Sequence, residues 1–186
     1  MRKLNSFTFL SLNGYYKGEN EDTSWHSHGE EEGKYSEQSL SADNILLFGR
    51  TTYEMMSNFW PTPMAAEMFP AVAAGMNKAQ KIVFSNTLKT TEWNNTSIMS
   101  GDIVEQTRQL KSSKGNDLTI LGSGSIVSQF SDAGLIDIYQ IMIDPVALSS
   151  GTSLFEGMTK QVDLKLIDSK IFKSGVVLLT YENNNK

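Results

Sequence analysis

The sequence predicts an α/β fold built on a mixed sheet that closes with an antiparallel hairpin. Three observations carry this. β-prone apolar runs alternate with segments of helical spacing along nearly the whole chain, the pattern of strand–helix–strand units. Two of the strand-to-helix passages, near residues 45–52 and 118–126, run through glycine. The chain then closes with two β-prone segments, 162–172 and 175–182, joined by Lys173-Ser174-Gly175, which reads as a hairpin.

Taken in order, residues 4–12 read as a first strand with Phe7, Phe9 and Leu10 as core candidates. Residues 13–29, rich in Gly, Asn and acidic side chains, read as a loop. Residues 30–42 read as a helix that Gly33 weakens. Ile45-Leu46-Leu47-Phe48 is a buried strand, and a helix follows over 51–58. Pro61 and Pro63 break the chain, and the Ala- and Met-rich stretch 64–77 is helical. A strand at 81–85, a short one near 97–99 and a helix over 102–113 capped by Asp102 come next. The strand at 118–121 leads into a helix at 124–132. Residues 136–143 first alternate and then turn apolar throughout, as a central strand does. No internal repeat or linker interrupts the series, and the Asn183–Lys186 tail is expected to fray.

The two glycine passages carry the chemistry. After Phe48 come Gly49, Arg50, Thr51 and Thr52, so a buried strand turns tightly into a helix N-terminus with a cation and two hydroxyls at its mouth. Free backbone N–H groups and the helix dipole favour an anion there, and the planar guanidinium suits phosphate. The plainer alternative is a helix capped by threonine after a core strand. Gly122-Ser123-Gly124-Ser125 repeats the arrangement after Leu121, ahead of Ile126, Val127 and Phe130 at helical spacing. Two such turns in one small domain point to one extended anion, such as a dinucleotide, gripped at both.

The bulk properties bound the rest. A chain of 186 residues is expected to form one domain with a real core. No apolar run approaches the ~20 residues of a membrane span, and Met1–Ser6 lacks the apolar stretch of a signal peptide, so a cytoplasmic protein without membrane partner is expected. The absence of cysteine excludes disulfides and thiolate metal sites. A net charge of −5 argues against nucleic acid as the main partner. Glu19, Glu21, Asp22, Glu30, Glu31 and Glu32 concentrate the negative charge in one solvated segment. His26 and His28 stand two apart with no third ligand nearby, so a surface loop is expected there and no metal.

In this order the motifs resemble the dihydrofolate reductase superfamily, and more closely its branch related to the C-terminal reductase domain of bifunctional riboflavin-biosynthesis proteins. Ser11-Leu12-Asn13-Gly14-Tyr15 resembles the first-strand "SLDG" signature, with Asn13 where Asp is usual. Phe48 to Glu54 resembles the "LGRxTYE" turn, and Trp60-Pro61 the "WP" after it. Lys81 to Leu88 resembles "KxVxSxTL". Leu121 to Ser125 resembles the "GGG" turn, with serine at the middle glycine. Asp144-Pro145-Val146 through Gly151 and Leu154-Phe155 resembles "PVxLGxGxxLF".

The resemblance implies a three-layer α/β/α dihydrofolate reductase-like domain over 1–186, using NADPH to reduce a small conjugated, pterin- or pyrimidine-like substrate. It implies that Gly49, Arg50, Thr51 and Thr52 hold the adenosine side and pyrophosphate. Arg50 and Ser85, with Asn86 behind them, would read the 2′-phosphate, and Gly122, Ser123, Gly124, Ser125 and Ile126 would cradle the nicotinamide-side phosphates. Phe9, Asn13, Tyr16 and Trp25 would border the nicotinamide and substrate. Glu31 or Glu32 would supply the family's carboxylate, although the local sequence departs from the pterin-binding pattern. A homodimer is implied as well, for which the Met-rich stretch near 55–76 offers a surface.

Two alternatives stand beside this reading. Gly122-Ser123-Gly124 followed by Asp144 at the end of the next strand partly fits a Rossmann layout with Asp144 on a ribose, though Val127 replaces the third glycine. The departures at Asn13 and Ser123 and the insecure proton donor also leave room for a protein that binds a nucleotide or small ligand without turnover.

Overall fold

The computed structural model describes residues 1–26 and 29–184. Along the chain the elements are β1 (Leu4–Ser11), β2 (Tyr15–Lys17), α1 (Glu30–Leu40), β3 (Ile45–Gly49), α2 (Arg50–Phe59), α3 (Pro63–Met68), α4 (Pro70–Lys78), β4 (Lys81–Phe84), β5 (Thr96–Met99), α5 (Ile103–Ser112), β6 (Leu118–Leu121), α6 (Gly124–Asp132), β7 (Ile138–Asp144), β8 (Thr152–Ser153), β9 (Leu164–Ile171) and β10 (Val177–Asn183). The main sheet has eight strands in the order β5-β4-β3-β6-β1-β7-β10-β9. From β5 to β7 all neighbours are parallel, while β10 runs antiparallel to β7 and β9 antiparallel to β10. The mixed sheet and terminal hairpin are those the sequence predicts. β2 pairs with β8 in a separate two-stranded ladder.

The period of two along each strand sorts side chains between two apolar layers. On one face Leu4, Ile45, Leu47, Phe84, Leu118 and Ile120 are buried against Ile126, Val127 and Phe130 of α6, with Ile103, Val104 and Leu110 of α5 beside them. On the other face Leu46, Phe48 and Val83 meet Tyr53 of α2 and Met76 of α4. Further along that second face Phe7, Phe9, Met142 and Leu178 pack around Tyr35 of α1 and Phe172. Helices therefore cover both faces, and parallel strands enclosed in this way need the near-continuous apolar sequence of β3 and β4. β9 is the exception. It lies at the sheet edge, where Leu166, Ile167 and Ile171 are exposed.

Several elements differ from expectation. The stretch 64–77 is not one helix: Pro70 lacks an N–H and forces Phe69 out of helical geometry (φ −138°, ψ 62°), so α3 ends and α4 begins there. The acidic loop 13–29 contains β2, which Thr152–Ser153 recruits from far along the chain. Asn183 does not fray: it is buried and donates to the Ile136 carbonyl at 3.0 Å. Asn185 and Lys186 lie outside the described residues, as does His28. The Rossmann alternative fails on topology. It needs the strand after α6 to lie beside β6, but β1 separates β6 from β7.

Asp102 caps α5 as predicted, accepting from the Glu105 amide at 3.0 Å. The end of α4 uses an unforeseen device. Lys81 is 1% exposed, and its ammonium donates to the carbonyls of Met76 (2.8 Å) and Ala79 (2.7 Å) while standing 4.5 Å from the centre of the Trp93 ring. A helix leaves its last carbonyls without intrahelical donors, and this buried cation supplies them.

Candidate functional site

The carboxyl ends of the parallel strands gather the predicted turns. Gly49 ends β3 and is the N-cap of α2, and Ser123 follows β6 as the N-cap of α6. These strands share neither a loop nor a helix, but the Gly49 amide donates to the Ser123 hydroxyl at 2.7 Å in a buried hydrogen bond. The fit is close: a Cβ on Gly49 would lie 3.3 Å from both the Ser123 hydroxyl and Ile126 Cγ1. Thr52 touches the second turn, since its methyl is 3.4 Å from where a Cβ on Gly122 would stand. Gly122 has φ +58° and Ser123 φ +59°, so two successive left-handed residues swing the chain from strand to helix.

Neither α2 nor α6 has a side-chain cap hydrogen bond or an acid in its first turn. α3 and α5 differ, since Thr62 and Asp102 cap them. The first-turn N–H groups of α2 and α6 are thus the positive ends of two neighbouring helix dipoles with no acid in their own first turns. The alternative of a threonine cap on α2 does not hold, because Thr51 and Thr52 lie inside the helix.

The other cofactor candidates lie at this edge in varied settings. Arg50 and Thr51 are exposed, and the Arg50 guanidinium pairs with Glu54 at 3.1 Å. Ser125 is exposed on the first turn of α6 and Ile126 is core. The Ser85 hydroxyl accepts from the amides of Thr87 (3.2 Å) and Leu88 (3.0 Å), shaping the turn after β4. Asn86 accepts from the Gly101 amide at 2.9 Å.

The first strand and its loop approach from the other side of β6. The Tyr16 ring lies on the glycine turn: a Cβ on Gly124 would come within 2.4 Å of it. Asn13 bridges to the chain after β7, accepting from the Leu148 amide at 3.1 Å and donating to the Leu148 carbonyl at 2.8 Å. An aspartate could accept but not donate, which accounts for asparagine at this departure from the signature. Phe9 and Trp25 enclose His26, with ring centroids 4.6 and 4.0 Å away. His26 Nδ1 is 3.6 Å from Oδ2 of the fully buried Asp144. Among the described residues no cluster of acids and histidines fit for a metal is present.

Glu31 and Glu32 both turn toward the β9–β10 connection. Glu31 accepts from the Lys173 amide at 3.1 Å, which holds its carboxyl below the usual range. Buried Glu32 accepts from the Ser174 hydroxyl. Nearby, burial raises the Tyr35 phenol, whose oxygen accepts from Gln140 Nε2 at 2.7 Å.

The model of the RibD C-terminal domain family matches residues 2–178. This chain belongs to that family. Among its relatives, the uncharacterized protein YyaP of Bacillus subtilis strain 168 is 27% identical over 176 residues, covering 94% of this chain and 92% of YyaP. A Shewanella sp. PV-4 protein provisionally assigned to riboflavin biosynthesis superposes with a TM-score of 0.76 at 20% identity, covering 98% of this chain and 99% of the other. Dihydrofolate reductase from Enterococcus faecalis, solved with NADP(H), gives a TM-score of 0.65 at 17% identity over 98% of this chain and 97% of its own. The RibD family and its neighbours establish a dihydrofolate reductase-like, reductase-type fold. They point to an oxidoreductase of this type. Among the described residues no helix is long and apolar enough to cross a membrane.

The pairing of His26 with Asp144 and the use of Ser174 to hold Glu32 were not read from sequence. For the first, one signal was present: an aspartate closing the otherwise apolar end of β7.

Proposed function

We propose that the chain is an NADPH-dependent reductase acting on a small conjugated substrate of pterin or aminopyrimidine type. One observation carries this reading: the Gly49–Ser123 hydrogen bond joins two helix N-termini that have no side-chain cap, at the carboxyl ends of adjacent strands. Such an edge suits a ligand with two separated phosphate groups. The residues fit the cofactor. N–H groups at the starts of α2 and α6 and the hydroxyls of Thr52 and Ser125 would hold its phosphates, on turns that Gly49 and Gly122 allow to pack closely. Exposed Arg50 would take the 2′-phosphate by exchanging Glu54 for it. When bound, the cofactor supplies a hydride. This chain's own part is to grip the phosphates, set the distance to the substrate between the β1 loop and α1, and shield both with Phe9, Tyr16 and Trp25.

The reading extends to one domain over 1–186 acting in the cytoplasm as a homodimer, for which the exposed Met55, Met64 and Met68 offer an adaptable surface. Sedimentation of the purified protein tests the dimer. A ligand-binding role without turnover has its own support, because Glu31 and Glu32 are both taken up by the hairpin. Calorimetric titration with NADPH and NADH, followed by NADPH oxidation with dihydrofolate and aminopyrimidine substrates, separates the two. Preferential NADPH binding with oxidation supports the reductase, binding without oxidation supports the second reading, and failure to bind either cofactor sinks the reductase.

A further inference from the structure

Asp144 closes β7 on the face covered by α1, opposite Ser11 of β1 and in line with Met142 and Phe9. It is 0% exposed, and a carboxylate in such a place needs a compensating partner. His26 lies against it, Nδ1 to Oδ2 at 3.6 Å, with Phe9 and Trp25 on the imidazole and 12% of its side chain reaching solvent. With Nδ1 turned to the carboxylate, Nε2 is on the opposite edge of the ring. At 3.6 Å the two atoms face each other at ion-pair rather than hydrogen-bond distance, so the carboxylate acts on the ring through its charge and favours a proton on Nδ1. The glutamates that the family resemblance puts in the proton-donor role are differently employed. Glu31 is held ionised by the Lys173 amide, and Glu32 is bound to Ser174.

We propose that His26, held by Asp144, is the proton donor of this site, acting on a substrate whose reducible bond is a conjugated C=N or C=O. The inference rests on the reductase reading above and goes further by naming the donor. A hydride from a dihydronicotinamide adds to the carbon, and the π pair moves to the nitrogen or oxygen. That atom takes the Nε2 proton and becomes N–H or O–H. The imidazolium becomes neutral imidazole and recovers a proton from water, while the cofactor leaves oxidised. Asp144 is a positioning residue: its carboxylate faces Nδ1 and orients the ring without giving up a proton itself.

The chain has two histidines, so His28→Asn leaves His26 as the single imidazole. In that background, nitrogen-15 NMR of the neutral ring is expected to show the Nδ1–H tautomer, and adding Asp144→Asn is expected to abolish this preference. A ring with no tautomer preference in the presence of Asp144 overturns the positioning role. Independently of whether Asp144→Asn folds, diethyl pyrocarbonate is expected to modify His26 in the native single-histidine protein. Saturating NADP⁺ is expected to slow that modification at least threefold. Modification only after denaturation overturns the donor role, because Nε2 then cannot reach a ligand. A rate unchanged by NADP⁺, with its binding to the same sample proven by calorimetry, places His26 outside the cofactor cleft and overturns the inference while the reductase reading stands. No NADP⁺ binding at all sinks the reductase reading itself.

Discussion

The amide of Gly49 and the hydroxyl of Ser123, 2.7 Å apart, lock together two turns separated by 74 positions in sequence. The bond fixes the spacing of the α2 and α6 N-termini, and it leaves Ser123 in a left-handed conformation that serine adopts at a cost. Ser123→Ala is expected to lower stability by about 1–3 kcal/mol, because the buried Gly49 donor is orphaned while the strain remains. Ser123→Gly relieves the strain and is expected to recover about 1 kcal/mol of that loss. Urea unfolding of both variants decides this, and an alanine variant as stable as the parent removes the bond from the account.

Arg50 is exposed and paired only at the surface with Glu54, so it is available to a phosphate. Arg50→Ala is expected to weaken NADPH by about tenfold, the worth of a charge-assisted contact, and NADH far less. Equal losses for the two cofactors, read by calorimetry, mean that Arg50 does not read the 2′-phosphate.

Gly124 has no room for a side chain because the Tyr16 ring covers it. Gly124→Ala is expected to destabilise the fold by about 1–3 kcal/mol, the range for overpacking. Adding Tyr16→Ala is expected to relieve part of that loss, a coupling that a double-mutant cycle measures. Strict additivity of the two substitutions contradicts the contact.

Burial pushes the Lys81 ammonium down to about 8 from 10.5, while carbonyls of α4 and the Trp93 ring favour its charged form. Between those values the unfolded chain binds more protons than the folded one, so stability gains as pH rises from about 8 toward 10.5. The cost of holding the charge is fully present below that window. Its ceiling is about 3 kcal/mol by the linkage between pKa and free energy. Lys81→Met does not titrate and leaves the carbonyls bare. The parent's advantage over it, measured by chemical unfolding, is expected to widen by about 1–2 kcal/mol between pH 7.5 and 10. A pH-independent gap means that Lys81 keeps an ordinary affinity for its proton.

The order of strands and helices was legible because it is written locally. The apolar run Ile45–Phe48, the glycines at 49 and 122, and Asp102 each act within a few residues of themselves. The Phe69–Pro70 break was missed because apolar spacing continues across it, although Pro70 itself was the sign. What pairs distant segments left little trace. β2 exists because Thr152–Ser153 meets it, and nothing near Lys81 says that its ammonium will close α4. At the site, the two turns were readable one by one, but their junction through Ser123 was not. In sequence His26 invites a metal and Asp144 a ribose, and only the folded chain brings the two together.

β1 lies inside the sheet between β6 and β7, with Leu4 opposite Leu118 and Asn5 opposite Ile138. On a ribosome β1 is therefore made long before either of its neighbours. At ordinary elongation speeds it waits on the order of ten seconds for its neighbours. During that time its apolar side chains and both of its hydrogen-bonding edges are open to whatever else is nearby. The strand that organises the finished molecule is thus the one that most needs shelter while the molecule is being made.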